Sequence, residues 1–560
     1  MNALILRGIR QNLRPKHLIA AGLFSLIVCS TAYMTSYLEG AKGKYTYDSQ
    51  TREWTRGEDS PINGARNAFT FLVIIQGFYL MFLGTGRVAS VTAEERESGL
   101  LDYQRMTPMN PFSKIVGYIF GLPAREYYMF LFTIPFLLHC VVAGKIPWDN
   151  VFQLYAVFFC SVILYHLTAH AVGLVVPKPR AASWVSRIVV LGLYVALPGL
   201  GQAGISFLSF LTILPTYFGK ILPVLHPVDK DVKMGHYEQI VIDFWQDVPF
   251  FNFTISPTAF TFLMQGLLIF TLLVTAYRKW RNQALPAFSK SSGLLLFFVL
   301  QFLLLGSLWT FFANGEASGL IGNAISSSEN VPLHQKIVFF VLVDTIYAGL
   351  SILALLALIN VCCPNRHLFL KGIQRIRKFH LPRIPVLADE CSGLWFVALL
   401  SGMTIAVFTC LTSLALDSKN WDISPSLSSL IIIPSIGILA TAIYLQAARE
   451  MWFNLGFWGY VGLLWITPLL ASLVLAVGWQ EEYLSIIYKL ISINPLGLIT
   501  VQMYNEFADL IEIPLERREI LAEAKWFGLI ISSLLAVILQ ARLLAIRKEI
   551  LTKQQISIQI

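Results

Sequence analysis

Residues 69–83 read FTFLVIIQGFYLMFL, a stretch that is apolar on every side of a helix. Residues 294–305, LLLFFVLQFLLL, have the same character. A strand of a membrane β-barrel alternates apolar and polar residues over about ten positions, and neither stretch alternates. A continuous apolar run is typical of a helix that crosses a membrane, which takes about 20 residues. These stretches predict an all-α polytopic membrane protein.

Apolar stretches of this kind recur along the whole chain of 560 residues. Hydrophobic residues make up 56% of the sequence, charged residues only 13%, and the mean hydropathy is +0.64. Soluble domains carry about 25% charged residues, so a soluble globular protein is excluded. The sequence predicts about twelve transmembrane helices, over residues 18–36, 67–86, 123–143, 152–176, 184–207, 257–277, 292–313, 336–361, 394–416, 428–447, 453–478 and 524–546.

The basic residues are concentrated in alternate loops between the apolar stretches. The formal net charge is +9, from 42 Lys and Arg against 33 Asp and Glu. Because Lys and Arg stay on the cytoplasmic side during membrane insertion, this pattern predicts that both termini are cytoplasmic. The surplus positive charge then faces the anionic lipids of the bilayer, and it indicates no nucleic-acid partner. The seven cysteines fall in predicted helices or cytoplasmic loops, where no disulfide framework is expected.

The order of the segments indicates two six-span halves. Residues 1–17 place apolar and basic side chains on opposite helix faces, as an interfacial helix does. A long outer segment follows the fifth apolar stretch of each half, and it ends in ISPT at 255–258 or INPL at 493–496 before the sixth. We interpret the chain as two parallel repeats, residues 18–280 and a divergent 292–560, with a linker at 281–291. The alternative is that the two halves resemble each other only because both consist of apolar helices, without an internal duplication.

The most informative stretch is VTAEERESGLLDYQRMTPMNP, residues 91–111, in a predicted cytoplasmic loop. Thr92 followed by Glu95 has the pattern of a capping box, which predicts a short helix over residues 92–104. Its acidic residues would lie near the positive N-terminal end of the helix dipole. Leu100 and Leu101 form an apolar pair among charges, which favours docking into a groove of another protein. A solvated loop helix without a partner is the alternative.

Residues 95–101, ERESGLL, with MTPMNP at 106–111, resemble the coupling-helix phrase of ABC-2 type permeases, the membrane subunits of ABC transporters. The resemblance covers residues 1–285 well and reaches the rest only through the repeat. It implies docking on cytoplasmic ABC ATPase subunits, two copies of them, that power export across a bacterial inner membrane. The residues that it assigns to ATPase docking are Glu94, Glu95, Arg96, Glu97, Ser98, Gly99, Leu100 and Leu101.

No nucleotide site is recognisable in the chain itself. A P-loop needs Gly-x4-Gly-Lys-Ser/Thr, and the nearest approach, GAKGKY at 40–45, has the wrong spacing. The sequence therefore predicts a permease that is not an enzyme, with no catalytic residue and no cofactor of its own; the partner subunits would hold ATP and magnesium. The second half departs from the family pattern, because its corresponding loop, residues 364–393, is basic and echoes ESGL at 97–100 only faintly.

Three intramembrane residues are candidates for a transport pathway. His166 and His170 lie four residues apart on one helix face, a spacing that permits a shared metal. No third ligand is identifiable, so no metal site is predicted and hydrogen bonding between helices is favoured. Asp344 is the one acid well inside a predicted span, where an ionisable group is by default functional; exposure to water near the outer end is the alternative.

These residues define two alternative functions. One is a twelve-span, ion-coupled secondary transporter in which Asp344 is the coupling acid. The other is a membrane-embedded enzyme that uses His166 and His170. The permease interpretation is favoured over both, because the phrase at 95–101 is the most specific feature of the sequence.

Overall fold

The computed structural model describes residues 2–43, 45–48, 53–56, 58–202, 206–225, 245, 248–282, 286–314, 333–380, 384–417, 427–451, 454–478 and 483–553. Contacts divide the chain into two compact units. Unit 1 comprises Met1–Pro249 and Phe253–Ala284, and unit 2 comprises Phe250–Asn252 and Leu285–Ile560. Both units are built from long apolar helices, so the predicted all-α, multi-span class is confirmed.

The described residues of unit 1 form a succession of helices. They are α1 (Ala3–Asn12), α2 (Pro15–Ala41), α3 (Pro61–Glu97), α4 (Leu100–Met106), α5 (Pro111–Gly121), α6 (Ala124–Ala143), α7 (Trp148–Val175), α8 (Pro179–Gln202) and α9 (Pro257–Arg281). Two antiparallel strands, β1 (Tyr45–Asp48) and β2 (Glu53–Arg56), connect α2 to α3. Short helical turns follow α8, at Ser206–Leu211, Leu214–Thr216 and Leu222–Leu225. Strands β3 (Val248–Phe250), whose last residue is assigned to unit 2, and β4 (Phe253–Ile255) precede α9.

The described residues of unit 2 continue the series. Its helices are α10 (Lys290–Asn314), α11 (Leu333–Cys362), α12 (Arg366–Phe379), α13 (Leu394–Asp417), α14 (Leu427–Met451), α15 (Gly456–Val477), α16 (Leu484–Ile493), α17 (Pro495–Glu506) and α18 (Leu515–Lys553). Helix α12 is amphipathic, with Ile373 and Ile376 buried while Arg366, Lys371 and Arg377 are exposed.

Eleven helices of the described chain are long and apolar enough to cross a membrane. They are α2, α3, α6, α7 and α9 in unit 1 and α10, α11, α13, α14, α15 and α18 in unit 2. Each one overlaps a span predicted from the sequence. The remaining predicted span, residues 184–207, overlaps α8, which is helical but lies outside those eleven. The chain is thus an integral multi-pass membrane protein, and the repeat and the side of the termini stay predictions.

Proline occupies the first turn of several helices, where its missing N–H leaves no bond unmade. Examples are Pro61 of α3, Pro111 of α5 and Pro257 of α9. The phrases ISPT and INPL differ in their structural setting, however. Pro257 begins the spanning helix α9, whereas Pro495 begins α17, a short helix that precedes the final span α18. ISPT therefore leads directly into a span, whereas α17 separates INPL from its span.

Helix α3 runs without interruption from Pro61 to Glu97 and contains a π-helical turn at Phe78–Gly84. Thr92 is an interior residue of this helix. The predicted helix start at Thr92, with its capping box, is therefore wrong, because the chain before Thr92 is already helical and leaves no free N–H to cap. Gly99 has a left-handed backbone, with φ +76°, and separates α3 from α4. The predicted 92–104 helix is thus the end of one helix, a turn and the start of another.

Helix α1 packs along α5, a helix that lies between two of the spans predicted from the sequence. The contact is close: a Cβ added at Gly117 would lie 2.5 Å from the Cβ of Leu4, and the Gly8 backbone faces Gly121. The Asn2 amide donates to the carbonyl of Ser113 at 2.5 Å, and the Asn2 side chain also accepts from the N–H of Leu4. The N-terminal helix is thereby fixed beside the segment that carries the candidate docking residues.

Candidate docking segment and intramembrane polar residues

The eight candidate docking residues lie where α3 ends and α4 begins, and they differ in exposure. Glu94, Glu97, Ser98 and Gly99 are exposed, Arg96 and Leu100 are half-buried, and Glu95 and Leu101 are buried. Leu101 is only 1% exposed and belongs to a core cluster with Ile115, Tyr118 and Trp280. The expectation of an exposed Leu100–Leu101 pair is therefore wrong, because Leu101 packs inside unit 1.

A different set of exposed side chains is available for docking at this end of unit 1. Tyr103 and Met106 of α4 are 66% and 78% exposed, and Asp102 beside them is exposed as well. Together with Glu94 and Glu97 they form what we call the α3–α4 surface, which combines acidic groups with an aromatic ring and a thioether. Sequence reasoning missed Tyr103 and Met106, although their three-residue spacing places them on one helix face.

Behind this surface, the buried carboxylate of Glu95 receives three donors. The Arg7 guanidinium donates to Oε1 at 2.6 Å, and the Gln104 amide donates to Oε2 at 3.2 Å. The Tyr118 hydroxyl also donates to Oε2. Burial raises the pKa of Tyr118, and the neighbouring negative charge of Glu95 raises it further, so this hydroxyl remains a donor. We call this set the Glu95 junction; it joins α1, α3, α4 and α5.

Basic side chains of the same segment cap the ends of two long helices. Arg96 donates to the carbonyl of Leu174, near the end of α7, at 2.6 Å. Arg105 donates to the carbonyl of Lys279, near the end of α9, at 3.2 Å. The last carbonyls of a helix have no partner within it and carry negative partial charge. These two arginines therefore tie α7 and α9 to the docking segment.

Lys114 of α5 fixes the end of α4 in the same way. Its ammonium donates to the carbonyls of Gln104 at 2.7 Å and Thr107 at 3.2 Å, and it lies 5.8 Å from the centre of the Trp280 ring. Burial lowers the pKa of Lys114, and nearby Arg105 lowers it further. The inner face of the segment is thus hydrogen-bonded to helices of unit 1.

His170 is one of two histidines on α7, and both of its ring nitrogens have partners. The indole N–H of Trp280 donates to Nε2 at 2.8 Å, and Nδ1 lies 3.2 Å from the Thr92 hydroxyl. Because an indole N–H can only donate, Nε2 must be the bare nitrogen of a neutral ring, and Nδ1–H donates to Thr92. His170 therefore joins α3, α7 and α9 and has no free nitrogen for a metal.

His166 contacts a different partner. Its Nε2 lies 3.0 Å from the carbonyl of Leu80, inside the π-helical turn of α3. A Cβ added at Gly84 would approach the same nitrogen to 2.8 Å, so glycine leaves the room for this ring. Each histidine thus bonds α7 to α3 separately. Across the described residues, no group of three or more His, Cys, Asp or Glu side chains is arranged to hold a metal.

Unit 2 has a buried glutamate with a comparable set of partners. Glu450, at the end of α14, accepts from the Gly393 N–H at 2.7 Å and the Gln446 amide at 2.6 Å, and its other oxygen pairs with Arg547 of α18. Its neighbour Arg449 donates to the carbonyl of Asn360, near the end of α11, at 2.9 Å. In both units, a buried glutamate binds a distant arginine while the adjacent arginine caps another helix.

Sequence reasoning placed the counterpart of the docking phrase in residues 364–393 and missed Glu450. The signal available was the pair Arg449–Glu450 directly after the apolar stretch 428–447. Within the predicted loop, Glu390 forms an ion pair with Arg375 of α12 at 3.6 Å. Lys290 donates to the carbonyls of Ala388 and Cys391 at 2.9 and 2.6 Å. This loop is therefore held against the start of α10 as well as against α14.

Asp344 lies within α11 and is fully buried. Neither of its carboxylate oxygens has a hydrogen-bond partner among the residues that the structure describes. Of the two interpretations left open by the sequence, exposure to water near the outer end is therefore wrong. The structure does not bring Asp344 together with the histidines in one unit, since His166 and His170 belong to unit 1 and Asp344 to unit 2.

The fold and these polar clusters define the class of the protein: an α-helical, multi-pass integral membrane protein with buried ionic junctions at helix ends. Comparison of the chain with family models, with curated proteins and with solved structures finds no match in any of the three.

Proposed function

We propose that the chain is the membrane-spanning permease subunit of an ABC-2 type transporter. It exports a substrate, driven by ATP hydrolysis in separate cytoplasmic ATPase subunits, two copies of which dock on it in the inner membrane. The observation that carries this proposal is the construction of the segment at residues 94–106. Its outer face is exposed and acidic, and its inner face is hydrogen-bonded to α1, α5, α7 and α9.

Such a segment can pass a movement on to several helices at once. A displacement of α4 by a docked ATPase moves the Lys279 end of α9 through Arg105, and α5 through Lys114. Rotation at the end of α3 moves α7 through Arg96 and α1 through Glu95. Because buried hydrogen bonds of this kind are costly to break, the helices follow the segment instead of separating from it. That rigidity is what coupling of ATP hydrolysis to transport requires.

Two features support the inclusion of both halves in one transport pathway. Each unit contributes six long helices when α8 is counted, and each has short helical segments between its fifth and sixth long helix. Each also carries a buried glutamate next to an arginine that caps another helix. We therefore propose that Glu450 and Arg547 form the second coupling point, in place of the loop at 364–393.

Co-purification of an ATPase tests the proposal directly. The pair Glu97→Arg with Tyr103→Ala changes exposed groups of the α3–α4 surface and leaves the Glu95 junction intact. Purified from native membranes in mild detergent, the wild-type protein is expected to retain a P-loop ATPase, identified by mass spectrometry. The amount of ATPase that co-purifies with the variant is expected to be at least tenfold lower, which corresponds to about 1.4 kcal/mol of binding free energy.

Glu39→Arg is the matched control, because it reverses an exposed acidic charge away from the α3–α4 surface. Glu39 lies near the end of α2, beside the start of α3, whereas the surface lies at the end of α3. Its ATPase content should equal that of the wild type. Absence of any P-loop ATPase from the wild-type preparation, or equal retention in the surface variant, would overturn the proposed docking. A Leu101→Asp variant is unsuitable here, since that residue lies in the core of unit 1.

Asp344 favours a second candidate function, a twelve-span secondary transporter powered by an ion gradient. A fully buried acid in a membrane helix costs stability, so a functional role is the default explanation for its presence. In this alternative, transport proceeds without an ATPase and depends on Asp344. What this residue binds is therefore relevant to both candidates.

A further inference from the structure

Asp344 lies deep in the part of α11 that crosses the membrane. It is eleven residues after Leu333, which places it about 16 Å along a helix of about 45 Å. With a hydrocarbon core of about 30 Å centred on that helix, Asp344 sits about 9 Å inside the apolar layer. It is fully buried within unit 2.

Among the residues that the structure describes, no side chain packed around Asp344 brings a charge of opposite sign to it. On its own helix, buried Phe340 and Val341 lie one turn before it, and Tyr347 lies three residues after it. The basic groups of α11, His334 and Lys336, lie ten and eight residues before it, about 12 Å or more along the helix. Helices α10, α13, α14 and α17 pack against α11. Their titratable groups are Lys290 on α10, Cys410 and Asp417 on α13, Tyr444, Arg449 and Glu450 on α14, and Tyr504 and Glu506 on α17. Lys290 donates to backbone carbonyls of the loop before α13, and Arg449 donates to the carbonyl of Asn360, sixteen residues after Asp344 on α11.

An ionised carboxylate cannot be stable in this setting. Burial of an isolated charge in a medium of low dielectric constant costs many kcal/mol, and the group takes up a proton instead. A hard metal cation would need about six oxygen ligands. Polar groups on the following turns of α11 are already paired, since the Tyr347 hydroxyl donates to Gln301 at 2.7 Å and the Gln301 amide donates to Ser351 at 3.0 Å.

We propose that Asp344 is a proton-binding site of unit 2, a neutral carboxylic acid that exchanges its proton during the transport cycle. The ligand is H⁺ alone, and the carboxyl group gains or loses it without any other bond changing. This proposal does not rest on the ATPase partner. It gives the protein a response to pH in the membrane under either candidate function.

Hydrogen-bonded polar groups lie near Asp344 on two sides, and none of the described ones bonds to its carboxyl group in this structure. Tyr347, Gln301 and Ser351 form a row of hydrogen-bonded polar groups that extends along α11 from the level of Asp344. On the other side, the Thr345 hydroxyl lies 3.4 Å from that of Thr500 on α17. Helices α16 and α17 form a hairpin of short helices, and short elements of this kind line ion sites in transporters. Because α17 contacts α11 beside Asp344, exchange of the proton from this side would require α17 to move so that water reaches the carboxyl group.

Infrared difference spectroscopy tests the site on the purified full-length protein, with H⁺ and D⁺ as the probes. The wild-type spectrum minus that of Asp344→Asn at neutral pH should contain the C=O stretch of one protonated carboxylic acid. In D₂O this band should shift to lower frequency, because the acid proton exchanges. Glu94→Gln, which removes an exposed carboxylate, is the control and should yield carboxylate bands only.

Two results would overturn the proposal. Carboxylate bands in place of the acid band would show that Asp344 is ionised, and an acid band that stays unshifted in D₂O would show a proton that never exchanges. If Asp344→Asn does not fold, as judged by gel filtration in detergent, Asp344→Glu replaces it. The wild-type acid band should then move in frequency, and a spectrum without any such change would equally contradict the assignment. None of these readouts depends on whether an ATPase binds.

Discussion

Glu95 differs from its neighbours in what surrounds it, and a substitution should reveal the difference. Glu95→Ala removes the acceptor for Arg7, Gln104 and Tyr118. The Tyr118 hydroxyl keeps the Gln104 side-chain oxygen as an acceptor at 2.6 Å, whereas the buried Gln104 amide N–H loses the acceptor that it has in Glu95. We expect a loss of about 2 kcal/mol in the free energy of unfolding, and less than the cost of a fully buried ion pair because Arg7 is partly exposed. Thermal unfolding of the purified protein, followed by tryptophan fluorescence, measures it.

Glu94→Ala is the control for this prediction, one residue earlier in the sequence. Glu94 is exposed, and surface substitutions usually change stability by no more than about 0.5 kcal/mol. Equal unfolding temperatures for the two variants would contradict the role assigned to Glu95.

The sequence identified the candidate docking segment, but it did not show which of its residues are buried. Glu94, Glu95 and Glu97 look alike in EERESGLL, residues 94–101. Only the three-dimensional structure shows that Glu95 is buried while the other two are exposed. The partners that bury Glu95 are far away in sequence, 88 residues for Arg7 and 23 for Tyr118. Local spacing carries no information about such contacts. Asp344 was easier, since an acid within an apolar run is visible without knowledge of its neighbours.

At the level of elements, the turn between α3 and α4 depends on Gly99. Its φ of +76° is a conformation that costs other L-residues roughly 1–2 kcal/mol, and a Cβ added there would meet nothing within 4 Å. Gly99→Ala should therefore lower stability by about 1 kcal/mol through backbone strain alone. Gly99→Asn should lower it less, because Asn tolerates this conformation. Thermal unfolding of both variants is the measurement, and an alanine variant as stable as the asparagine variant would contradict the strain argument.

The same elements show why helix boundaries were harder to predict than helices. The long apolar runs were recognisable because a spanning helix needs little beyond length and composition. Thr92 and Glu95 matched a capping box, yet that pattern has meaning only where a helix begins. Here the helix continues from Pro61, and the Thr92 hydroxyl is hydrogen-bonded to His170 instead of capping a helix. Helix α5 was missed because it combines a first-turn proline, a buried lysine and glycines that admit α1.

At the scale of the whole molecule, the number of spans decides where the two ends lie. Eleven spans would put the termini on opposite sides of the membrane, and twelve would put them on the same side. Helix α8 is the element in question, because its 24 residues are helical but it is not among the eleven. The distribution of Lys and Arg favours twelve, with both termini cytoplasmic.

Cysteine labelling distinguishes the two topologies. Arg10→Cys and Lys548→Cys place thiols at exposed positions near the two ends, and Asp149→Cys places one at the start of α7. With a maleimide that does not cross membranes, we expect the first two to react several-fold faster in inside-out vesicles and Asp149→Cys to react faster in right-side-out ones. The unsubstituted protein, with its seven free cysteines, gives the background. Labelling of Arg10→Cys and Lys548→Cys from opposite sides would show that α8 does not span, and the proposal of two six-span halves would then fail.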